Sequence, residues 1–171
     1  MKAGIANKKE FSVLLEKHQG IIHKITRVYA DGAEDRKDLF QEICLQLWRS
    51  YGNFREEAKF STWMYRVAMN TAISSVRKKS SRLHYEPLEK HAQIQLETEE
   101  QNEEVQLIYT AISRLNRIDR AIILLWLEDK NYDKIASIMG ITKTNVSVKL
   151  VRIKRKLEDW INETWKQSHE R

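Results

Sequence analysis

Apolar residues recur at intervals of three and four along most of the chain, which is the spacing that places them on one face of an α-helix. Three such stripes occupy the first half, at about 11–29, 39–51 and 61–76. Gly32 and Gly52 follow the first two stripes, where a residue of low helix propensity ends each helix. The pattern therefore predicts three amphipathic helices in succession.

The starts of the second and third helices carry capping signals. Asp35 or Asp38 falls in the first turn of the second helix, where the helix dipole favours a carboxylate. Ser61 is a good N-cap for the third helix, and Phe60 and Tyr65 have the spacing of a hydrophobic staple across it.

Between 84 and 104 the helical periodicity fades, and the one proline of the chain, Pro87, appears. Helical patterning resumes at 105 and predicts further helices starting at Asn116 or Asp119, then at 132–139 and 143–165, with a short turn at 128–131. We expect an all-α fold in which two small helical domains, 1–83 and 105–171, are joined by a flexible linker, 84–104.

Composition supports helices and gives the two predicted domains the same sign of charge. Five glycines and one proline in 171 residues are too few for the many turns of an all-β sandwich. Residues 1–83 hold 16 basic and 9 acidic side chains, 84–104 hold 1 and 7, and 105–171 hold 13 and 8. Two basic domains on either side of an acidic linker indicate polyanion-binding modules.

Several classes of protein are not expected. The longest uncharged apolar run, Ala121–Leu127, is far short of the ~20 residues of a membrane span, and no secretory signal is visible. The single cysteine, Cys44, has no partner for a disulfide or a zinc pair. The five histidines show no metal-ligand spacing, and no phosphate loop or nucleophile motif is present. We expect a cytoplasmic protein without catalytic residues, metal, cofactor or small-molecule substrate.

The segment 132–146 has the pattern of a helix-turn-helix. Ala136 is small where two helices would cross, Gly140 supplies the positive φ of a tight C-cap, and Thr142 can cap the next helix. That helix has a buried stripe starting at Val146 and an opposite face rich in polar and basic residues, which suits the major groove of DNA. The alternative is an ordinary helical hairpin with a solvated basic face.

The third helix carries aromatic, basic and amide side chains close together. Trp63, Arg66 and Asn70 are followed by Arg77, and such mixtures suit single-stranded DNA, because bases stack on rings and phosphates pair with cations. Trp63 could equally be a core residue. The second helix carries a mixed acidic and apolar stripe that could dock a basic partner or face solvent.

These motifs, in this order, resemble the bacterial sigma factors of the extracytoplasmic-function (ECF) class. The resemblance implies that the second helix binds core RNA polymerase through Asp38, Gln41, Glu42 and Trp48. It implies that the third helix melts and reads the minus-ten promoter element through Trp63, Arg66, Asn70 and Arg77. It implies that the second helix of the helix-turn-helix reads the minus-thirty-five element through Lys143, Thr144, Asn145, Ser147, Lys149 and Arg152.

The resemblance also implies partners, namely core RNA polymerase, promoter DNA and an anti-sigma factor, with no insertion into a membrane. Two positions depart from the family pattern: Ser74 stands where Asp is frequent, and Asn116 follows Leu115 where Pro is frequent. The alternative function is a two-domain helix-turn-helix regulator that binds duplex DNA without serving as a polymerase subunit.

Overall fold

Helices make up nearly all of the computed structural model, which describes residues 2–82 and 102–169. In chain order they are α1 (Lys2–Tyr29), α2 (Ala33–Tyr51), α3 (Phe60–Arg82), α4 (Glu103–Ser113), α5 (Arg117–Leu127), α6 (Tyr132–Met139) and α7 (Lys143–His169). No strand occurs among these residues, and the expected all-α class is confirmed. They form two units, α1–α3 and α4–α7, described separately below.

In the first unit, α1, α2 and α3 each pack against the other two around one apolar core. The fully buried side chains come from all three helices: Ile22, Ile25, Ile43, Leu47, Met64 and Met69. Gly32 precedes α2 with φ +86°, a backbone conformation that L side chains rarely adopt. The predicted stop at this glycine is therefore a sharp reversal between α1 and α2.

The start of α3 differs from the prediction. The helix begins at Phe60, and the carbonyl of Lys59 accepts from the backbone N–H groups of Thr62 and Trp63, at 2.9 and 3.2 Å. Ser61 therefore lies inside the first turn and is not the N-cap. The physical reason is the side chain of Phe60, which is buried among other aromatic rings, so that the helix begins before Ser61.

In the second unit, α7 packs against α4, α5 and α6. Asn102, Asn116 and Asn131 cap α4, α5 and α6 through side-chain oxygens that accept backbone N–H bonds. The predicted linker lies outside the described residues at 84–101. At its C-terminal end, Glu103 and Glu104 belong to the first turn of α4, so that helix starts two residues before the predicted position.

Candidate nucleic-acid and protein interfaces

The four side chains predicted to meet the minus-ten element share one face of α3. At about 100° per residue, Trp63, Arg66, Asn70 and Arg77 point within about 60° of one another. Arg66, Asn70 and Arg77 are exposed, whereas Trp63 is half-buried. The structure thus brings an aromatic ring, an amide and two cations onto one surface, and exposed Ser74 lies among them.

Trp63 belongs to an aromatic cluster that we define as Tyr51, Phe54, Phe60 and Trp63. The ring centroid of Trp63 lies 5.1 Å from Phe54, 5.4 Å from Phe60 and 6.2 Å from Tyr51. Aromatic pairs at these distances each contribute about 0.5–1.5 kcal/mol beyond their buried area. Because Trp63 is only half-buried, it is held by the core on one side and accessible on the other.

The loop 52–59 contributes to the same cluster. The Phe54 ring lies 6.2 Å from Tyr51 and 5.7 Å from Phe60, while Glu56 adopts a left-handed conformation with φ +54°. Burial, with further contributions from the charges of Glu10 and Glu56, raises the pKa of Tyr51. The loop therefore has a fixed aromatic anchor and an exposed charged edge beside Trp63.

The predicted polymerase contacts lie on the face of α2 opposite its buried stripe. Asp38 and Gln41 are exposed, Glu42 is half-buried, and Trp48 is 40% exposed with its ring 5.2 Å from that of Phe11. This face also carries a side chain outside the predicted set, Leu45, which is 46% exposed. An apolar residue on the polar side of a helical stripe is the sequence signal that could have identified it.

A cleft of ≈ 220 Å³ adjoins this face, where the start of α2 meets the end of α3. Its lining includes the carboxylates of Asp38 and Glu42 and the ammonium groups of Lys78 and Lys79. Lys79 Nζ lies 2.8 Å from Asp35 Oδ2 and links the two helices. Asp38 and Glu42 therefore face a shaped, charged recess and not only open solvent.

The helix-turn-helix has the geometry that its sequence predicts. Gly140 is left-handed, with φ +67°, and its N–H donates to the carbonyl of Ala136. Thr142 Oγ1 accepts from the backbone N–H of Asn145 at 3.1 Å, which caps α7. Val146, Leu150 and Ile153 are buried on the inner side of α7.

The predicted minus-thirty-five contacts divide into two groups on α7. Thr144, Asn145 and Arg152 are exposed; Thr144 and Arg152 point within about 55° of the direction opposite the buried stripe, and Asn145 points about 75° from it. Ser147 and Lys149 are half-buried and point about 90–110° away from that direction, while exposed Lys143 lies at the helix start. The six residues are thus not one surface. Val148 lies between Thr144 and Arg152 on the outward side of α7. It is 45% exposed and was absent from the predicted set.

Two of the predicted lysines have acidic partners within the unit. Lys143 Nζ lies 3.0 Å from Asp133 Oδ2, and both side chains are exposed. Lys149 Nζ lies 3.5 Å from Asp119 Oδ1, and the carboxylate of Asp119 is largely buried. The other oxygen of Asp119 accepts from Asn116 Nδ2 at 2.7 Å. Lys149 thus joins the second turn of α7 to the capped start of α5, a contact that sequence reasoning missed.

The part of the chain that the structure describes offers neither a metal-binding cluster nor a membrane-spanning helix. Within 2–82 and 102–169, no three His, Cys, Asp or Glu side chains are grouped so that they could hold a metal ion. No helix of these ranges combines the length and apolarity needed to cross a bilayer. Cys44 is half-buried, and burial raises the pKa of its thiol, which lowers its reactivity.

Comparison with protein families gives two matches that together cover most of the chain. Residues 14–82 match the model of sigma-70 region 2, and residues 105–157 match that of sigma-70 region 4. The first match contains α2 and α3, and the second contains the helix-turn-helix and most of the polar face of α7. They occur in the order that the sequence motifs predict.

Curated relatives and solved structures agree with these matches. The chain is 36% identical over 66 residues to the RNA polymerase sigma-H factor of Pseudomonas aeruginosa, an alignment covering 39% of this chain and only about a third (34%) of that relative's length. It is 28% identical to the ECF RNA polymerase sigma-E factor of Haemophilus influenzae, over 91% of this chain and 89% of that protein. The sigma-E factor of Escherichia coli is 25% identical over 90% of this chain and 87% of its own.

Two solved structures share the fold. The sigma factor RpoE from Bartonella quintana, in complex with the anti-sigma factor NepR, has a TM-score of 0.71 at 17% identity and covers 90% of this chain and 98% of its own. CnrH, in complex with the cytosolic domain of CnrY, has a TM-score of 0.68 at 17% identity, with 95% and 94% covered.

Proposed function

The chain belongs to the sigma-70 family, and on that premise we propose that it is a sigma factor of the ECF class that directs core RNA polymerase to specific promoters and begins to melt them. The observation that carries this proposal is the pairing of region 2 with region 4 in one chain. The alternative, a two-domain regulator that binds duplex DNA through its helix-turn-helix, does not require that its first domain be a sigma region 2, so the region 2 match favours the sigma function over that alternative.

The face of α3 supports the melting step. Opening a duplex costs a few kcal/mol for each extruded base, and stacking of one base on an aromatic ring returns about 1–3 kcal/mol. Trp63 offers such a ring on a rigid support. Asn70 can pair with a base edge on the same face, and Arg66 and Arg77 can neutralise phosphates.

The other two faces support binding of polymerase and of the upstream element. On α2, Asp38, Gln41, Glu42 and Trp48, together with Leu45, form a face of acidic, amide and apolar groups that suits a basic protein partner. On α7, Thr144 and Asn145 lie in the first turn, where recognition helices contact base edges.

The proposed factor performs no covalent chemistry of its own, because RNA synthesis belongs to the polymerase that it binds. Its site of action is promoter DNA in the bacterial cytoplasm. An anti-sigma factor is the proposed regulator, which is supported by the fold shared with RpoE in its complex with the anti-sigma factor NepR.

Run-off transcription tests the proposal. The full chain is added to purified core polymerase on genomic fragments, and permanganate is used to detect unpaired thymines at the promoters found. We expect transcription and melting only when both proteins are present. Promoter binding and footprinting by the chain alone, without polymerase, would contradict the proposal and support the duplex-binding regulator.

Variants of α3 sharpen this test. Trp63→Ala should reduce open-complex formation about 5- to 150-fold, the value of one lost base stack, and Trp63→Tyr should restore part of it. Asn70→Ala changes an exposed residue and should reduce melting with no effect on folding. Trp165→Ala is the matched control, because this exposed tryptophan of α7 lies outside the three faces. Melting that withstands both Trp63→Ala and Asn70→Ala would exclude α3 as the melting surface.

A further inference from the structure

An outward position on the polar face of α7 is occupied by a valine. The buried stripe of Val146, Leu150 and Ile153 defines the inner side of the helix, and Val148 points about 170° away from the middle of that stripe. Its side chain is 45% exposed. Val148 is therefore not one of the buried residues that form the core of this unit.

The neighbours of Val148 identify the kind of surface it would meet. Thr144 lies one turn before it and Arg152 one turn after it, both exposed on the same face. The basic residues Lys154, Arg155 and Lys156 follow. Val151, which is 56% exposed and about 60° around the helix from Val148, is a second apolar side chain on this largely polar and basic face. Such a face suits a polyanion with apolar groups on its surface, which is a description of the major groove at a thymine.

The C5 methyl of thymine is the apolar group that base edges present in the major groove, and it distinguishes an A·T pair from base pairs that carry no methyl group. Recognition helices approach base edges with their N-terminal turns. Val148 lies about 7.5 Å along the axis from Lys143, the first residue of the helix, and so within the second turn. Arg155, which points within about 20° of Val148, is placed to meet the DNA backbone.

We propose that Val148 is a specificity-determining residue that contacts the methyl group of one thymine in the minus-thirty-five element. This inference rests on the proposed function, and it adds a base identity that the polar residues of the face do not determine. It requires the valine side chain itself, because alanine at this position is too short to keep the contact.

A thermodynamic cycle with deoxyuridine tests the contact, because deoxyuridine lacks only the methyl group. A promoter that the holoenzyme transcribes is first identified, and each thymine of its minus-thirty-five element is replaced singly by deoxyuridine. The dissociation constant of the holoenzyme is then measured for both promoters. With the wild-type chain, we expect one such replacement to weaken binding about fourfold, the value of one buried methyl group.

The variants are Val148→Ala, Val148→Ile and, as a control, Val13→Ala, which alters a helical valine of α1 that is 60% exposed. Val148→Ala should bind the thymine promoter about fourfold more weakly and lose discrimination against deoxyuridine. Val148→Ile and Val13→Ala should keep the discrimination against deoxyuridine. Thermal unfolding should be unchanged in Val148→Ala, since the side chain is outside the core.

The outcomes separate this inference from the proposed function. Equal discrimination by Val148→Ala and the wild type, or no discrimination at any thymine, would overturn the contact while promoter-specific transcription persists. A minus-thirty-five element without thymine would overturn it as well. A wild-type chain that supports transcription at no promoter would overturn the proposed function, and the inference with it.

Discussion

Lys149 and Arg152 lie three residues apart on α7, and their surroundings predict opposite effects of mutation. Lys149 is 33% exposed and 3.5 Å from the largely buried carboxylate of Asp119. Arg152 is exposed on the outward face. We therefore expect Lys149→Gln to change stability and Arg152→Gln to change DNA binding, although the sequence suggests the same role for both.

The magnitudes follow from the two environments. Exposed ion pairs contribute about 0–1 kcal/mol, and breaking a buried pair costs about 3–5 kcal/mol. The Lys149–Asp119 pair is intermediate, and Asp119 retains its bond to Asn116, so about 1–2 kcal/mol is expected. In a domain of 60–100 residues this lowers Tm by roughly 4–16 °C.

Arg152→Gln should leave Tm unchanged and remove one phosphate contact. The slope of the logarithm of the binding constant against the logarithm of salt concentration is negative and should become less negative by about 0.9. When the salt concentration is raised from 50 to 200 mM, the binding constant of Arg152→Gln should decrease by a factor that is about 3.5-fold smaller than the factor for the wild type.

The assays are thermal unfolding of the full chain followed by circular dichroism, and promoter binding by the holoenzyme as a function of NaCl concentration. The double variant Lys149→Gln, Asp119→Asn serves as the control, because it removes the charge left unpaired and should recover part of the Tm. A Lys149→Gln variant whose salt slope is less negative by about 0.9 and whose Tm is unchanged would refute this assignment, since Lys149 would then be a phosphate contact.

Three further predictions concern the other features described above. Gly140→Ala should destabilise the second unit by about 1–2 kcal/mol, because alanine is strained at φ +67°. Gly20→Ala, in helical backbone with open space, should instead stabilise α1. Equal shifts of Tm in the two variants would contradict this prediction. Burial, and secondarily the charge of Lys17, lowers the pKa of His18 below 6.5, so protonation favours unfolding. The free energy of unfolding measured with urea should be highest above pH 6.5 and should fall as the pH drops below that value. His18→Gln should show a flatter profile. Leu45→Ala should weaken polymerase binding about 5- to 10-fold, from lost apolar burial, without lowering Tm; unchanged affinity in an anisotropy titration would remove Leu45 from that interface.

Much of the fold could be predicted because each helix carries its own local signals. The apolar stripes indicated the helices, and Gly140 and Thr142 act as predicted at the turn before α7. Helix ends were less predictable. Phe60 moves the start of α3 through a tertiary aromatic contact, and Asn102 caps a helix in a stretch that reads as linker because it is rich in Glu.

The candidate site divides in the same way. Faces of one helix follow from the period of 3.6 residues, so the grouping of Trp63 with Asn70 and of Asp38 with Glu42 could be predicted. The partner of Lys149 could not, because Asp119 lies 30 positions earlier and only packing of α5 against α7 brings the two together.

The capped, internally braced α7 separates two tasks along a single helix. Val146, Leu150 and Ile153 hold the helix in place, whereas Thr144, Val148 and Arg152 face outward. On the proposed function, substitutions at the outward positions would change contacts with DNA at little cost to the fold, so duplicated copies of such a gene could diverge toward new promoters by few mutational steps. The same separation makes this helix a practical starting point for engineering orthogonal promoter pairs in synthetic circuits.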